Sequence, residues 1–209
     1  RDIIKINPLE KKIARKVSES LKEQGLYIEL FTNQGIYTDD IKKGVSTFQE
    51  VLRQTKSQTD KEKIKAILDE RLKFIKEADS NEFIFEHDES HIYKFLAFSF
   101  KLDELEAARK SLKDIEGISV SSSGRENIEV NSVNAQKGLA LQAFAEAKEI
   151  SLMETMAIGD SYNDLSMFKC VGRSVAMGNA DDRIKAQCNF VTATNEENGV
   201  AKAIFEAFE

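Results

Sequence analysis

Apolar and polar residues follow two different patterns along this chain, and the pattern changes near residue 128. Residues 9–24 predict an amphipathic helix, because Ile13, Val17 and Leu21 fall on one stripe and lysines occupy the others. The stretch LYIELFTNQGIYTDD then alternates apolar and polar residues around an Asn-Gln-Gly turn, which predicts two strands. The chain is therefore expected to begin with a helix and a β-hairpin.

The rest of the first part mixes both kinds of element. Two charged helices are predicted between Asp40 and Ala78, and another helix at LDELEAARKSLKDI. Strands are predicted at NEFIFE and YKFLAFSF, and a closing strand pair at GISVSS and NIEV. This order predicts a mixed sheet with helices against it.

After about Ile128, predicted helices and strands alternate strictly. The helices are QKGLALQAFAEAKEI, YNDLSMFKCVG, ADDRIKAQC and GVAKAIFEAFE, and the strands are METMAIGD, RSVAMG and NFVTAT. Strict alternation is typical of a parallel sheet with crossover helices, here half of a doubly wound α/β fold. Ligands of such sheets bind at the carboxyl ends of the strands, where Asp160 is predicted to lie.

Composition and charge narrow the class of partner. The 209 residues, 41% of them hydrophobic, suffice for one large domain or two modest ones. Thirty basic and 36 acidic side chains give a net charge of -6, which argues against binding nucleic acid or an anionic membrane. The sequence has no apolar run of bilayer length, no signal-peptide core, and two cysteines without metal-ligand spacing. We expect a cytosolic protein with a small-molecule partner.

Candidate chemistry is concentrated in AIGDSYNDLSM, where a predicted strand ends and a helix begins. Asp160, Asn163 and Asp164 are placed there so that their oxygens can converge. Oxygen ligands at a strand end suit Mg²⁺, which binds through one or two carboxylates, water and a substrate phosphate. The alternative is that Asp160 caps the helix and Asp164 only complements its dipole. The pattern by itself leaves both interpretations open.

The wider sequence resembles a known family. GDSYNDLSM, the stretch GRSVAMGNADDRIKAQCNFVTATNEENGVAKAI that follows, and the preceding NAQKGLAL closely resemble the haloacid dehalogenase-like phosphatases, specifically the Cof-type branch. The resemblance is strong over residues 128–209 and looser before them. It implies a Rossmann-like parallel-sheet core with an inserted α/β cap, divided here into a remnant core strand at 1–8, a cap at 9–127 and the C-terminal part of the core at 128–209.

The resemblance also implies roles for four residues. Asp160 would ligate Mg²⁺ directly, and Asp164 would hold a metal-bound water or the catalytic lysine. Lys137 would neutralise the phosphate and the nucleophile, and Asn163 would contact the phosphate. The implied activity is Mg²⁺-dependent hydrolysis of a small phosphorylated metabolite, a sugar phosphate or a phosphorylated cofactor, through an aspartyl-phosphate.

One family motif is not found in this sequence. The family's nucleophilic aspartate lies in a DxDGT box ahead of the cap. Neither Asp39-Asp40 nor Asp181-Asp182 is followed by the residues that this box requires. Because the chain also opens on Arg1, we expect a piece of a longer enzyme that is inactive alone. The alternative is a non-catalytic binding or interaction protein that lacks the nucleophile.

Two further candidates have ordinary explanations. His87 and His91 are four residues apart, but EHDESH is not the HExxH metal motif and is expected to be a solvated loop. SSSGRE offers backbone amides and Arg125 to a phosphate, yet a glycine between two strands is more typical of a turn.

Overall fold

The computed structural model describes residues 3–55, 66, 69–80 and 82–208. The chain forms two compact units, one of Asn7–Asn134 and one of Arg1–Ile6 with Ala135–Glu209. None of the helices within the described ranges is long and apolar enough to cross a bilayer.

The larger unit is built on a six-stranded mixed sheet. Its strands follow the order β3-β2-β1-β4-β6-β5, and every neighbouring pair is antiparallel except β2 and β3. The strands are β1 (Tyr27–Thr32), β2 (Gly35–Thr38), β3 (Ile75–Glu77), β4 (Ile92–Phe98), β5 (Ile118–Ser121) and β6 (Asn127–Ser132). Its helices among the described residues include α1 (Lys11–Glu23), α2 (Ile41–Thr55), α3 (Glu82–Glu86) and α4 (Leu102–Ser111), and residues 69–72 are helical as well.

One face of this sheet forms the main hydrophobic core. Successive residues of a strand point to opposite faces of the sheet. Ile28 and Phe95 lie on the face that carries the main core. The buried stripe of α1, including Val17 and Leu21, packs into the same cluster, as does Leu105 of α4. The amphipathic pattern of residues 9–24 is thereby accounted for.

The opposite face carries both aromatic and charged side chains. Tyr27, Leu96 and Phe98 form a smaller cluster with Phe48 of α2. The fully buried Glu29 belongs to the same face and accepts a hydrogen bond from Arg71, whose Nη2 lies 2.7 Å from Oε2. This face therefore contains a buried carboxyl group that interacts with the Arg71 guanidinium and the Tyr27 hydroxyl.

The smaller unit contains a parallel sheet with crossover helices, as the alternating pattern predicts. Its strands lie in the order β7-β8-β9, and both neighbouring pairs are parallel. The strands are β7 (Met156–Gly159), β8 (Arg173–Ala176) and β9 (Phe190–Val191). The helices are α5 (Lys137–Ala147), α6 (Leu165–Phe168), α7 (Asp182–Lys185) and α8 (Gly199–Phe208). The α/β class, with a parallel sheet and a separate cap-like sheet, is confirmed.

Several predicted elements of the larger unit are different in the structure. NEFIFE is not a strand: Glu82–Glu86 is a short helix that buries the adjacent residues Ile84 and Phe85. A short apolar run does not distinguish the two by periodicity. Ile75, predicted to be helical, begins β3, because it pairs with Ile36 at the free edge of β2. Most of the second helix predicted between Asp40 and Ala78 lies outside the described residues.

The borders of the two units also differ from those predicted. β6 belongs to the six-stranded sheet, where Val130 pairs with Phe95 of β4, so the smaller unit resumes at Ala135 instead of 128. The remnant core strand predicted at 1–8 is not formed in its described part, because residues 3–8 lie in an irregular segment. No described strand offers these residues ladder hydrogen bonds, so their apolar pattern alone does not make a strand.

Candidate active site

Asp160 lies where the sequence places it, directly after the last residue of β7. The carboxyl ends of β7, β8 and β9 lie at one edge of the parallel sheet, because all three strands run in the same direction. The chain leaves β7 through a tight turn at Tyr162–Asp164 and enters α6. Asp160 is exposed at this edge.

Asp164 is the carboxylate that organises this turn. Its side chain is buried, and its Oδ2 accepts the backbone N–H groups of Asp160 and Ser161, each at 3.0 Å. The approach is close enough that a Cβ on Gly159 would lie 2.5 Å from the same oxygen. The capping carboxylate is thus Asp164 and not Asp160, so the capping alternative for Asp160 is wrong.

Lys137 meets this turn from the first residue of α5. Its Nζ pairs with Oδ1 of Asp164 and donates to Oδ1 of Asn163 at 3.2 Å. About half of the lysine side chain, 49%, is exposed. The ammonium is therefore held in place while part of it stays accessible to an anion.

The position of Lys137 follows from the packing of α5 on α6. The Gly138 N–H donates to Oγ of Ser166 at 2.9 Å. A Cβ on Gly138 would lie 2.2 Å from the backbone oxygen of Ser166, so only glycine permits this approach. A lysine in the first turn is opposed by the helix dipole, and the contact with Asp164 offsets that cost.

Asp160 has only neutral hydrogen-bond donors among the described residues. The Nδ2 of Asn179 lies 3.2 Å from its Oδ2, and Oγ of Ser161 lies 3.3 Å from its Oδ1. Its formal charge is therefore not cancelled by a neighbouring cation. The sequence interpretation did not assign Asn179 a role, although the quoted stretch contains it in AMGNA.

Asp160 fits a Mg²⁺ site that has few protein ligands. Within the described ranges, no three His, Cys, Asp or Glu side chains form a group that could hold a metal ion. Mg²⁺ does not need such a cage, because it commonly binds one or two carboxylates, several waters and substrate phosphate. An exposed, uncompensated aspartate at a strand end meets that requirement.

The remaining sequence candidates belong to the larger unit. The backbone oxygen of His87 accepts a hydrogen bond from Lys11, and the ring of His91 stacks at 6.5 Å from that of Tyr93. The SSSGRE stretch begins at the last residue of β5 and leads to β6, and its Ser123 N–H donates to Oδ1 of Asn127 at 3.0 Å. Arg125 is exposed in that stretch. These contacts are those of ordinary loops.

The family is shown by comparison with known proteins. The family model described as haloacid dehalogenase-like hydrolase matches residues 1–204. "Phosphatase YwpJ" of Bacillus subtilis is 36% identical over 197 residues, which cover 92% of this chain and 69% of that protein. A second B. subtilis protein, "5-amino-6-(5-phospho-D-ribitylamino)uracil phosphatase YwtE", is 45% identical over 111 residues, 53% of this chain and 39% of that protein.

The fold agrees with a solved structure of the same kind. A haloacid dehalogenase-like hydrolase from B. subtilis superposes with a TM-score of 0.80 at 35% identity, covering 93% of this chain and 70% of that one. The resemblance to the Cof-type branch is confirmed. The chain belongs to the haloacid dehalogenase-like hydrolase family.

Proposed function

We propose that this protein is a Mg²⁺-dependent phosphatase of a small phosphorylated metabolite. The observation that carries the proposal is the meeting of Lys137, Asn163 and Asp164 beside the exposed Asp160 at the carboxyl end of β7. These groups combine a partly exposed ammonium with an exposed carboxylate whose described hydrogen-bond donors are neutral. Phosphoryl transfer depends mainly on positioning and on charge stabilisation, which such groups supply.

Each residue has a distinct part in the proposed site. Asp160 is the metal ligand, because its carboxylate is not neutralised. Asp164 is the residue that holds the catalytic lysine, since Oδ2 is already engaged by two backbone N–H groups and Oδ1 by Lys137. When bound, Mg²⁺ supplies positive charge to the phosphate oxygens.

Lys137 and Asn163 act on the phosphate. The ammonium of Lys137 neutralises phosphate charge from a fixed position, because Asp164 and Asn163 restrict its rotamers. Asn163 presents its carbonyl oxygen to that ammonium, which leaves its NH₂ group as the donor for a phosphate oxygen. The cation and the amide therefore form one anion-binding pair.

The proposed reaction passes through an aspartyl-phosphate, as the family resemblance implies. An aspartate attacks phosphorus and the ester P–O bond breaks, the leaving oxygen taking a proton from a general acid or from water; a second water then breaks the bond between aspartate and phosphorus and releases phosphate. The family's nucleophilic box matches no position of this sequence, so the attacking aspartate is not assigned to any residue described above.

The proposed substrate is a sugar phosphate or a phosphorylated cofactor. The B. subtilis relative named for 5-amino-6-(5-phospho-D-ribitylamino)uracil acts on a small phosphorylated molecule of that kind. The net charge of -6 argues against a polyanionic partner such as nucleic acid.

Hydrolysis of p-nitrophenyl phosphate by the full-length protein, titrated with Mg²⁺, tests the proposal. Lys137→Met is expected to lower kcat/KM by about 100-fold or more, as for removal of a group that stabilises transition-state charge. Asp160→Asn is expected to remove most of the Mg²⁺-dependent turnover. Lys148→Met is the matched control, because this lysine also belongs to the α5 region but lies at the other end of the helix.

Two outcomes would contradict the proposal. Unchanged turnover and unchanged Mg²⁺ dependence in Asp160→Asn would show that this aspartate is not the metal ligand. Binding of phosphate without any hydrolysis by the full-length protein would favour the non-catalytic alternative.

A further inference from the structure

The loops after β7, β8 and β9 are joined by a chain of hydrogen bonds that ends on Asp160. The backbone N–H of Asn195, in the loop after β9, donates to Oδ1 of Asn179 at 2.9 Å. The Nδ2 of Asn179, in the loop after β8, donates to Oδ2 of Asp160 at 3.2 Å. The oxygen of the Asn179 amide is therefore held by the Asn195 backbone, and its nitrogen holds the Asp160 carboxylate.

The loop after β8 reaches this position because it lies unusually close to the loop after β9. The Gly178 N–H donates to the oxygen of Ala193 at 3.0 Å. A Cβ on Gly178 would lie 2.9 Å from the backbone oxygen of Thr192 and from the nitrogen of Thr194. Glycine at 178 is thus required for the approach that places the adjacent Asn179 against Asn195.

The loop after β9 is itself well fixed. The Oγ1 and the backbone N–H of Thr194 both donate to Oε2 of Glu197, at 2.8 and 3.2 Å. The Glu197 N–H donates back to the oxygen of Thr194 at 3.1 Å. The bond from the Thr194 N–H to the Glu197 side chain is part of a capping box, which holds the N–H of Asn195 at the start of the short Asn195–Glu197 helix.

We propose that Asn179 is the positioning residue for the metal-binding carboxylate of Asp160. The inference rests on the proposed Mg²⁺ site. An amide is well suited to this task, because it orients the carboxylate without cancelling the charge that the metal requires. A lysine or arginine in the same place would compete with the metal, and Lys137, which contacts this turn, is paired with Asp164 instead.

In this role Asn179 orients the Asp160 carboxylate before the metal binds. Without Asn179, Asp160 would keep only the hydroxyl of Ser161, at 3.3 Å, as a side-chain partner among the described residues. Its rotamer would then have to be fixed by the metal itself, and that ordering lowers metal affinity. Partners that orient metal ligands typically contribute about 10- to 100-fold to affinity.

The test is direct Mg²⁺ binding, measured by isothermal titration calorimetry on the full-length protein without substrate. Asn179→Ala is expected to raise the Kd for Mg²⁺ by about 10- to 100-fold. Asp160→Asn is expected to abolish the binding. The control Asn189→Ala removes an asparagine that also bridges β8 and β9, through Ser174, but at the start of the strands. It should lower the Tm and leave the Kd unchanged.

A second variant keeps the Asn179 side chain and removes only its support. Asn195→Pro deletes the N–H that holds Asn179, at the first position of a short helix, where proline is tolerated. Thr194 before it is already extended, with φ -70° and ψ 166°, as proline requires. This variant is expected to weaken Mg²⁺ binding in the same direction as Asn179→Ala, by a smaller factor.

The outcomes separate this inference from the proposed function. If Asp160→Asn loses Mg²⁺ but Asn179→Ala and Asn195→Pro bind it with unchanged Kd, Asn179 has no positioning role and the metal site stands. If Asn179→Ala does not fold, Asn195→Pro decides the matter alone. If Asp160→Asn binds Mg²⁺ normally, both the metal site and the role of Asn179 are overturned.

Discussion

Lys137 and Asp164 form an ion pair although they lie 27 positions apart in sequence. Oδ1 of Asp164 contacts the ammonium, while Oδ2 accepts two backbone N–H groups of the turn after β7. The same buried carboxylate therefore fixes the backbone beside Asp160 and fixes the lysine. Substitution of Asp164 should therefore lower the stability and the activity of the protein together.

Replacement of Asp164 by asparagine tests this double role. An amide in place of the carboxylate loses the ion pair, or turns its NH₂ group toward the N–H groups of Asp160 and Ser161. We expect the free energy of unfolding to fall by about 1–3 kcal/mol, the cost of leaving buried groups without partners. Urea unfolding measures that fall, and p-nitrophenyl phosphate turnover should fall in the same variant. Full turnover with lowered stability would show that Asp164 is structural only.

Replacement of Gly138 by alanine should push α5 away from α6. The new Cβ would lie 2.2 Å from the backbone oxygen of Ser166, which cannot rotate away. We expect a loss of about 1–3 kcal/mol in the free energy of unfolding, as for overpacked sites, and a lower kcat because Lys137 moves with the helix.

The control for this glycine is Gly124→Ala, in the turn between β5 and β6. Its Cβ would meet only the ends of two side chains, at 3.3 and 3.6 Å from Asn127 and Glu126. Thermal unfolding of both variants makes the comparison. An equal Tm for Gly138→Ala and the unmodified protein would contradict the close packing of α5 and α6.

Glu29 should make the stability of the protein depend on pH. Burial raises the pKa of this carboxyl above its usual 4.5, although the Arg71 guanidinium acts in the opposite direction. The folded state then keeps this proton at pH values where the unfolded chain has lost it. The stability that Glu29 contributes is therefore present below pH 4.5 and is lost as pH rises through the folded-state pKa.

The Glu29→Gln variant isolates this effect, because glutamine does not titrate. The free energy of unfolding of the unmodified protein, minus that of Glu29→Gln, should decrease as pH rises above 4.5 toward the folded-state pKa, by at most about 1.4 kcal/mol per pH unit. Urea unfolding at a series of pH values gives the difference. An increase with pH would show that Arg71 outweighs burial and lowers the pKa.

Arg71 should be important for the larger unit. Its guanidinium lies 2.7 Å from Oε2 of Glu29, and its Cζ lies 4.8 and 5.5 Å from the ring centroids of Phe48 and Phe98. Removing it takes the guanidinium away from a buried carboxyl group, which then keeps the Tyr27 hydroxyl as a hydrogen-bond partner. Arg71→Met is expected to lower the free energy of unfolding at neutral pH by about 3 kcal/mol, near the low end for broken buried pairs, because the arginine is partly exposed.

The matched control is Arg53→Met, which removes an arginine that pairs with Glu50 on the surface of α2 at 3.6 Å. An exposed pair of this kind is worth about 0–1 kcal/mol. The double variant Glu29→Gln/Arg71→Met should recover part of the loss, since no charge is left buried. Equal effects of Arg71→Met and Arg53→Met would contradict a role for the Glu29 pair.

Much of the smaller unit could be predicted from local pattern. Its helices and strands alternate, and their apolar residues occur at the spacing of buried elements, so order and type follow from periodicity. The position of Asp160 after β7 follows in the same way, because a strand end is a local feature. The motif resemblance added the identity of Lys137, which lies far away in sequence.

The larger unit was less predictable, and Ile75 shows why. Its neighbours permit either a helix or a strand, and pairing with Ile36 decides for a strand. β5 and β6 form the strand pair that GISVSS and NIEV predict, but the boundary predicted at residue 128 cuts through β6, which lies next to β4 in a ladder with Phe95. Pairing between distant segments depends on which edges are free, and local periodicity carries no information about that.

The sequence by itself determined which residue types could do chemistry and where strands end, since both depend on neighbours in the chain. Only the tertiary structure decided that Asp164 and not Asp160 caps the turn, and that Asn179 and the N–H of Asn195 hold Asp160. The physical reason is that a carboxylate accepts whichever donors the fold brings within reach. Three parallel strands bring their following loops together, and the donors on those loops are distant in sequence.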